Sequence, residues 1–124
     1  MHEVTVAQSA VNIALEESEK QSAKKILLIE LDIGNLALIS KEQLEFWITE
    51  FLRGTIGEGT KIKINHIPGK VKCRDCGAES PVEVSEDPSL HFTVPKFECS
   101  SCGSPNTFIL EGREMFVKTI RVER

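Results

Sequence analysis

Residues 24–34, KKILLIELDIG, alternate between two sets of side chains. One set is entirely apolar: Leu27, Ile29, Leu31 and Ile33. The other set is mixed: Ile26, Leu28, Glu30 and Asp32. Because successive side chains of an extended chain point to opposite faces, the pattern predicts a β-strand that buries one face and ends at Gly34. Two carboxylates on one face can act as an acid and a base, but a solvated sheet face is the commoner arrangement, and we predict no catalysis there.

The segments on either side of this strand have helical spacing. Upstream, between Val4 and about Glu19, mainly small residues form one stripe: Ala7, Val11, Ala14, Leu15 and Ser18. Downstream, Ser40 and Gln43 resemble a capping box, and Gly54 can end the helix. Between them, apolar residues recur at i, i+3, i+4, i+7 and i+8: Leu44, Trp47, Ile48, Phe51 and Leu52. We therefore predict one helix before the strand and one after it.

Two further segments alternate. In residues 57–68, GEGTKIKINHIP, Ile62 and Ile64 alternate with lysines, so the two sets lie on opposite faces of a predicted strand. Pro68 ends this strand. Residues 114–123, EMFVKTIRVE, form a last predicted strand that returns to the first sheet. His66 falls in the earlier strand, where a strand histidine is a better interpretation than a metal ligand.

Composition limits the class of protein. With 124 residues and 40% hydrophobic content, the chain suits one compact domain or one domain with a small appended module. No stretch approaches the roughly 18 to 20 apolar residues of a membrane span, and no secretory signal pattern is present, so we expect a cytoplasmic protein without a membrane partner. The net charge of −4 argues against nucleic acid as the main partner, because Lys and Arg supply most of that affinity.

Two cysteine knuckles carry the strongest chemical signal: CRDCG at residues 73–77 and CSSCG at residues 99–103. A two-residue spacing lets both thiolates of a knuckle reach one ion, and each following glycine permits a tight turn. Disulfides are rare in a reduced compartment, and a redox pair does not explain two matched knuckles. We therefore predict a structural zinc ion held by Cys73, Cys76, Cys99 and Cys102, although iron in a rubredoxin-like cage fits the same spacing.

These patterns together predict an α/β fold: a small sheet with two helices, plus a zinc-ribbon-like module. The α/β domain comprises residues 1–68 and 111–124, and the module comprises residues 69–110. A short hairpin from PVEV to HFTV can fill the space between the knuckles. Four sulfur ligands leave no open position on zinc, so the ion is expected to fold the module rather than to catalyse.

The first three residues, MHE, offer a second set of metal ligands. A free Met1 amine, the His2 amide and imidazole Nδ1, and the Glu3 amide can close unstrained five- and six-membered chelate rings. Four nitrogens in a plane suit Ni(II) or Cu(II) rather than zinc. Taken alone, a histidine at position 2 is better explained by chance.

Five segments, taken in chain order, resemble the HypA/HybF family of hydrogenase nickel-insertion accessory proteins over essentially the whole chain. They are MHE at residues 1–3, LDIGNLALISKEQLEFWITEFLRGT at 31–55, the two CxxCG knuckles, and EGREMFVKTIRVE at 111–123. The resemblance implies nickel binding by the Met1 amine, His2 and the Glu3 backbone, and zinc binding by the four cysteines. It also makes His91, in SLHFTVP, a further candidate nickel ligand.

The function that follows from the resemblance is that of a nickel metallochaperone, not an enzyme, which delivers Ni(II) to a maturing [NiFe]-hydrogenase. Its implied partners are the GTPase accessory protein HypB and the hydrogenase large subunit, and the chain is expected to be a monomer or a homodimer. The alternative is a zinc-ribbon module that binds protein or nucleic acid without a nickel role. Residues 69–102 contain four basic and six acidic side chains, and this excess of acidic residues disfavours nucleic acid as a partner.

Overall fold

The structure is a computed structural model that describes residues 2–37, 39–87 and 92–124, with the backbone alone for His2 and for residues 83–87 and 92–96. In chain order, the elements are α1 (His2–Lys20), β1 (Lys25–Gly34), α2 (Lys41–Phe51), β2 (Lys61–Ile67), β3 (Lys70–Cys73), β4 (Glu79–Pro81), β5 (Glu83–Asp87), β6 (Phe92–Lys96), β7 (Thr107–Glu111) and β8 (Met115–Glu123). A 3-10 turn, Asn35–Ala37, follows β1. The predicted α/β fold with two helices is confirmed.

The first sheet has the strand order β2-β1-β8. Strand β8 runs antiparallel to β1, with Ile29 opposite Ile120. The chain therefore returns to its first strand, as the alternation of residues 114–123 predicts.

Both helices bury most of the stripes that their sequences predict, while Leu15, Trp47 and Phe51 stay partly exposed. On α1, Ala7, Ala10, Ala14 and Ser18 are fully buried, and these small side chains allow close packing against α2 and β8. On α2, Leu44, Ile48 and Leu52 supply the buried face. Ser40 caps α2, because its side chain accepts a hydrogen bond from the N–H of Gln43 at 3.3 Å.

The predicted faces of β1 are wrong at its beginning. Ile26 is fully buried, whereas Leu27 is 39% exposed, the reverse of a strict alternation. The register explains this, because Ile26 pairs with Val122 and Leu28 with Arg121, which leaves Leu27 as the extra residue of a β-bulge. From Ile29 onward the predicted buried face is confirmed, with Ile29, Leu31 and Ile33 in the core.

A second, smaller sheet has the order β4-β3-β7, and both outer strands run antiparallel to β3. Strands β5 and β6 form a separate antiparallel pair, with Ser85 opposite Val94. This pair confirms the strand pairing predicted between the knuckles.

The chain divides into two compact units. The first comprises Met1–Ile33, Ile39–Asn65 and Met115–Arg124, and the second comprises Gly34–Leu38 and His66–Glu114. The division into an α/β domain of residues 1–68 and 111–124 and a zinc-binding module of residues 69–110 stays a prediction. In the described part of the chain, no helix combines the length and the apolar character that crossing a bilayer demands.

Candidate metal centre

The two cysteine knuckles have the same local geometry. In the first, the N–H of Gly77 donates to the carbonyl of Cys73 at 3.0 Å, and in the second the N–H of Gly103 donates to the carbonyl of Cys99 at 2.9 Å. Gly77 and Gly103 adopt φ values of +76° and +74°, a left-handed conformation that favours glycine. The glycine after each CxxC pair is thus required by the turn.

The knuckles bring four sulfur atoms together. All four lie within 4.8 Å of one another, and two pairs that join the knuckles, Cys73 with Cys102 and Cys76 with Cys99, are each separated by 3.6 Å. Sulfurs placed about 2.3 Å from a tetrahedral zinc ion would be separated by about 3.8 Å. A disulfide requires about 2.05 Å, and all four thiols are free. The donor set therefore fits a four-thiolate metal site.

The first cysteine of each knuckle is prepared to be a thiolate. The N–H groups of Cys102 and Ser101 point at Cys99 and lower the pKa of its thiol to about 6. In the other knuckle, the N–H of Cys76 donates to Cys73 Sγ at 3.5 Å and lowers the pKa of Cys73. Backbone N–H groups directed at sulfur favour the anion, which is the form that binds metal.

The second cysteine of each knuckle shows the opposite shift. The N–H of Ser104 lowers the pKa of Cys102, but the adjacent sulfurs, Cys73 foremost, outweigh it and raise that pKa to about 12. At Cys76, the N–H of Ala78 lowers the pKa, but the Cys99 sulfur, burial of the thiol and the Cys73 sulfur together outweigh it, and the pKa is raised. Four adjacent sulfurs cannot all ionise without a cation, so metal binding here displaces protons.

Polar side chains connect the two knuckles around the sulfurs. Asp75 accepts hydrogen bonds from Ser104 Oγ and, at 3.2 Å, from Asn106 Nδ2, and these bonds lower the pKa of Asp75. The Arg74 guanidinium lies 4.6 Å from the centre of the Phe108 ring. The knuckles are thus joined by side-chain contacts as well as by their sulfurs.

A buried serine also contacts the sulfurs, and sequence patterns gave no signal for it. Ser80 on β4 is 1% exposed, and its hydroxyl lies 3.9 Å from Cys99 Sγ. Its position four residues after Cys76 becomes meaningful only when β4 pairs with β3 and brings it beside the second knuckle.

The predicted nickel ligands are only partly described. Met1 and His91 lie outside the described residues, and for His2 the backbone alone is described. Helix α1 begins at His2, so His2 and Glu3 lie in its first turn. The Glu3 carboxylate accepts a hydrogen bond from Ser40 N–H at 3.0 Å, which lowers the pKa of Glu3.

The other candidate groups lie within the first sheet. Glu30 and Asp32 each accept a hydrogen bond from Asn65 Nδ2, at 2.8 and 3.0 Å. Lys63 and Lys118 approach Glu30 to 3.9 and 4.0 Å. Both carboxylates are thus hydrogen-bonded on a partly exposed face, and Glu30 is also close to two lysines, which fits the structural interpretation given above. His66 is an exposed residue of β2.

The fold and the cysteine site define a class: a small α/β protein that carries a four-thiolate metal-binding module. The comparison with protein families is then specific, because residues 1–122 match the family model described as "Hydrogenase/urease nickel incorporation, metallochaperone, hypA". The chain belongs to the HypA family. The resemblance noted in the sequence is confirmed.

Individual relatives agree with this assignment. The chain is 34% identical to the hydrogenase maturation factor HypA of Methanothermobacter thermautotrophicus, over 100% of this chain and 98% of the relative. It is 33% identical to that of Thermococcus onnurineus, over 100% and 97% of the two chains. A solution structure of the Ni metallochaperone HypA from Helicobacter pylori shares the fold, with a TM-score of 0.65 and 20% identity over 98% of this chain and 97% of the other.

Proposed function

We propose that this protein is a nickel metallochaperone that delivers Ni(II) during maturation of a [NiFe]-hydrogenase and contains one structural zinc ion. The observation that carries the proposal is the match to a nickel-incorporation family over residues 1–122, which spans both the MHE start and the cysteine site. Within this proposal, HypB and the hydrogenase large subunit are the partners, and the protein itself catalyses no reaction.

The zinc ion is assigned to Cys73, Cys76, Cys99 and Cys102. Sulfur separations of 3.6 Å between the knuckles support this assignment. The thiol pKa values, lowered at Cys99 and raised at Cys102, also support it, because four adjacent thiols are expected to show such a mixture when no cation is bound. Cys73 and Cys99 are buried, whereas Cys76 and Cys102 are exposed. With four sulfur ligands the ion has a structural role.

Nickel is assigned to the Met1 amine, the His2 amide and imidazole, and the Glu3 amide, with His91 as an additional ligand. Helix α1 begins at His2, so the proposed backbone ligands lie in its first turn. The Glu3 carboxylate accepts a hydrogen bond from the backbone N–H of Ser40, and this bond fixes the residue next to His2. Ligands next to a chain end can exchange their metal with a partner more readily than a closed cage can.

The test is a Ni(II) titration of zinc-loaded protein in four forms: native, His2→Ala, His91→Ala, and native with Gly-Ser before Met1. We expect His2→Ala and the N-terminal extension to abolish specific binding, because one removes the imidazole and the other converts the amine into an amide. His91→Ala should weaken binding moderately and leave zinc unchanged. Square-planar nitrogen coordination should give a yellow, diamagnetic complex.

The matched controls are His66→Ala, which removes an exposed strand histidine, and Gly-Ser placed after Arg124. Both should bind nickel like the native protein. Equal affinity in all forms would contradict the nickel assignment and favour a zinc-ribbon binding module instead. Unchanged binding in His91→Ala alone would remove only His91 from the ligand set.

A further inference from the structure

Ser80 occupies an unusual position for a polar side chain. It lies in the middle of β4, opposite Val71 of β3, and is 1% exposed. A buried hydroxyl needs partners, because an unpaired one costs free energy. All of the hydrogen-bond partners described for the Ser80 hydroxyl belong to the second cysteine knuckle.

The hydrogen bonds of Ser80 have a definite direction. Its oxygen accepts from the Ser100 N–H at 3.3 Å and from the Ser100 hydroxyl at 3.1 Å. A serine hydroxyl has two lone pairs and one proton, so both acceptor positions are occupied and only the proton remains. The Cys99 sulfur, 3.9 Å away, accepts a hydrogen bond from the Ser80 O–H group.

We propose that Ser80 is a positioning residue of the four-cysteine metal site, which orients the Cys99 sulfur through an O–H···S hydrogen bond and thereby slows metal loss. This inference rests on the zinc site of the proposed function. Ser80 belongs to the sheet that carries the first knuckle, and Cys99 belongs to the second knuckle. The bond therefore fixes one knuckle relative to the other.

The bond should also change the electronic character of the sulfur. A hydroxyl that donates to a thiolate withdraws part of its charge, and groups that hydrogen-bond to metal ligands typically change metal affinity 10- to 100-fold. A purely structural serine would affect folding but would not shift an absorption that arises from sulfur. The thiolate-to-cobalt charge-transfer band of the Co(II)-substituted site reports this difference.

The experiment compares Ser80→Thr with Ser80→Val in the full chain, because these side chains have nearly the same shape and differ in the hydroxyl. Ser80→Ala tests the loss without added volume. Ser100→Ala is the matched control, because it removes a neighbouring serine hydroxyl that donates to Ser80 rather than to sulfur. Each protein is loaded with Co(II) for spectroscopy and with Zn(II) for competition against a chelator.

We expect Ser80→Val and Ser80→Ala to move the charge-transfer band to lower energy and to lose zinc about 10-fold faster or more. Ser80→Thr and Ser100→Ala should resemble the native protein. If the added methyl group prevents both Thr and Val variants from folding, Ser80→Ala against Ser100→Ala decides the question by the same two measurements.

Two negative outcomes are distinguishable. A native-like band and native-like zinc loss in the variants that lack the Ser80 hydroxyl would overturn the role of Ser80 and leave the zinc site intact. Absence of any thiolate charge-transfer band in the native protein would overturn the four-cysteine site itself, and the role of Ser80 with it.

Discussion

Glu30 shows how a single carboxylate on the partly exposed sheet face contributes to stability. Its hydrogen bond from Asn65 is the main reason that its pKa is lowered, and Thr119, Lys118 and Lys63 act in the same direction. The ionised form is therefore favoured in the folded protein. A group with a lowered folded pKa stabilises the fold above its unfolded pKa and loses that contribution as pH falls through its folded pKa.

We predict that Glu30→Gln reduces the acid sensitivity of the protein. Glutamine keeps the shape and an acceptor for Asn65 but does not titrate, so the loss of stability below about pH 4.5, the ordinary glutamate range, should be smaller than in the native protein. Urea unfolding at several pH values between neutral and acidic measures this. The control is Glu58→Gln, an exposed residue before β2, and equal pH dependence in native and Glu30→Gln proteins would contradict the prediction.

At the scale of elements, the beginning of α2 depends on Ser40 in two ways. Its side chain caps α2 through Gln43, while its backbone N–H binds the Glu3 carboxylate in the first turn of α1. Only the first interaction uses the hydroxyl. Replacing the Ser40 side chain should therefore remove the cap of α2 while the backbone hydrogen bond to Glu3 is retained.

We predict that Ser40→Ala lowers the free energy of unfolding by about 1 kcal/mol, the usual cost of a lost N-cap, and lowers Tm by a few degrees. Nickel affinity should remain native-like because the Ser40 N–H is retained. Thr49→Ala, which removes a hydroxyl bonded to the Glu45 carbonyl within the same helix, should have little effect on Tm. A Tm for Ser40→Ala equal to that of Thr49→Ala would show that the cap contributes nothing.

The elements with a regular hydrophobic period could be predicted from the sequence, and the irregular ones could not. Both helices and the strands of the first sheet follow from periods of 3.6 and 2. The bulge at Leu27 was missed, because an extra residue depends on the register with β8 rather than on the local pattern. Strands β3 and β4 are four and three residues long, too short to show a period.

The candidate metal site divides in the same way. The paired CxxCG spacing predicts four cysteines that converge, because each knuckle is a local structure. Ser80 and the hydrogen bonds of Asp75 to Ser104 and Asn106 join segments about 20 to 30 residues apart, so they arise only from tertiary pairing. The N-terminal nickel assignment came from the chelate rings that MHE can close and from the family resemblance.

At the scale of the whole molecule, the two compact units differ in the buried side chains that can stabilise each of them. The first unit buries large aliphatic side chains: Ile26, Ile29, Leu31, Leu44, Ile48 and Leu52. In the second unit, the described side chains that are buried are small: Val71, Cys73, Ser80, Val82 and Cys99. Since burial of apolar area supplies most of the stability of a fold, the first unit has a much larger source of it.

The second unit should therefore depend on its metal. Two of its buried side chains are cysteines of the metal site, and for a small metal module the free energy of binding is part of the free energy of folding. We predict that Cys102→Ser loses the zinc and that amides in β3, β4 and β7 lose protection from hydrogen exchange. Amides of α1, α2 and β1 should retain most of theirs, because the aliphatic side chains that pack around them include none of the four proposed zinc ligands.

The measurement combines metal analysis with hydrogen exchange read segment by segment. Ser101→Ala is the matched control, since it changes the exposed neighbour of Cys102 and keeps the backbone N–H that donates to Cys99 Sγ at 3.4 Å. Treating the native protein with a strong chelator should reproduce the pattern of Cys102→Ser, because it removes the ion and leaves every side chain in place. A full equivalent of zinc with native protection in Cys102→Ser would refute the four-thiolate assignment. Simultaneous loss of protection in both units would instead mean that the metal stabilises the molecule as one cooperative structure.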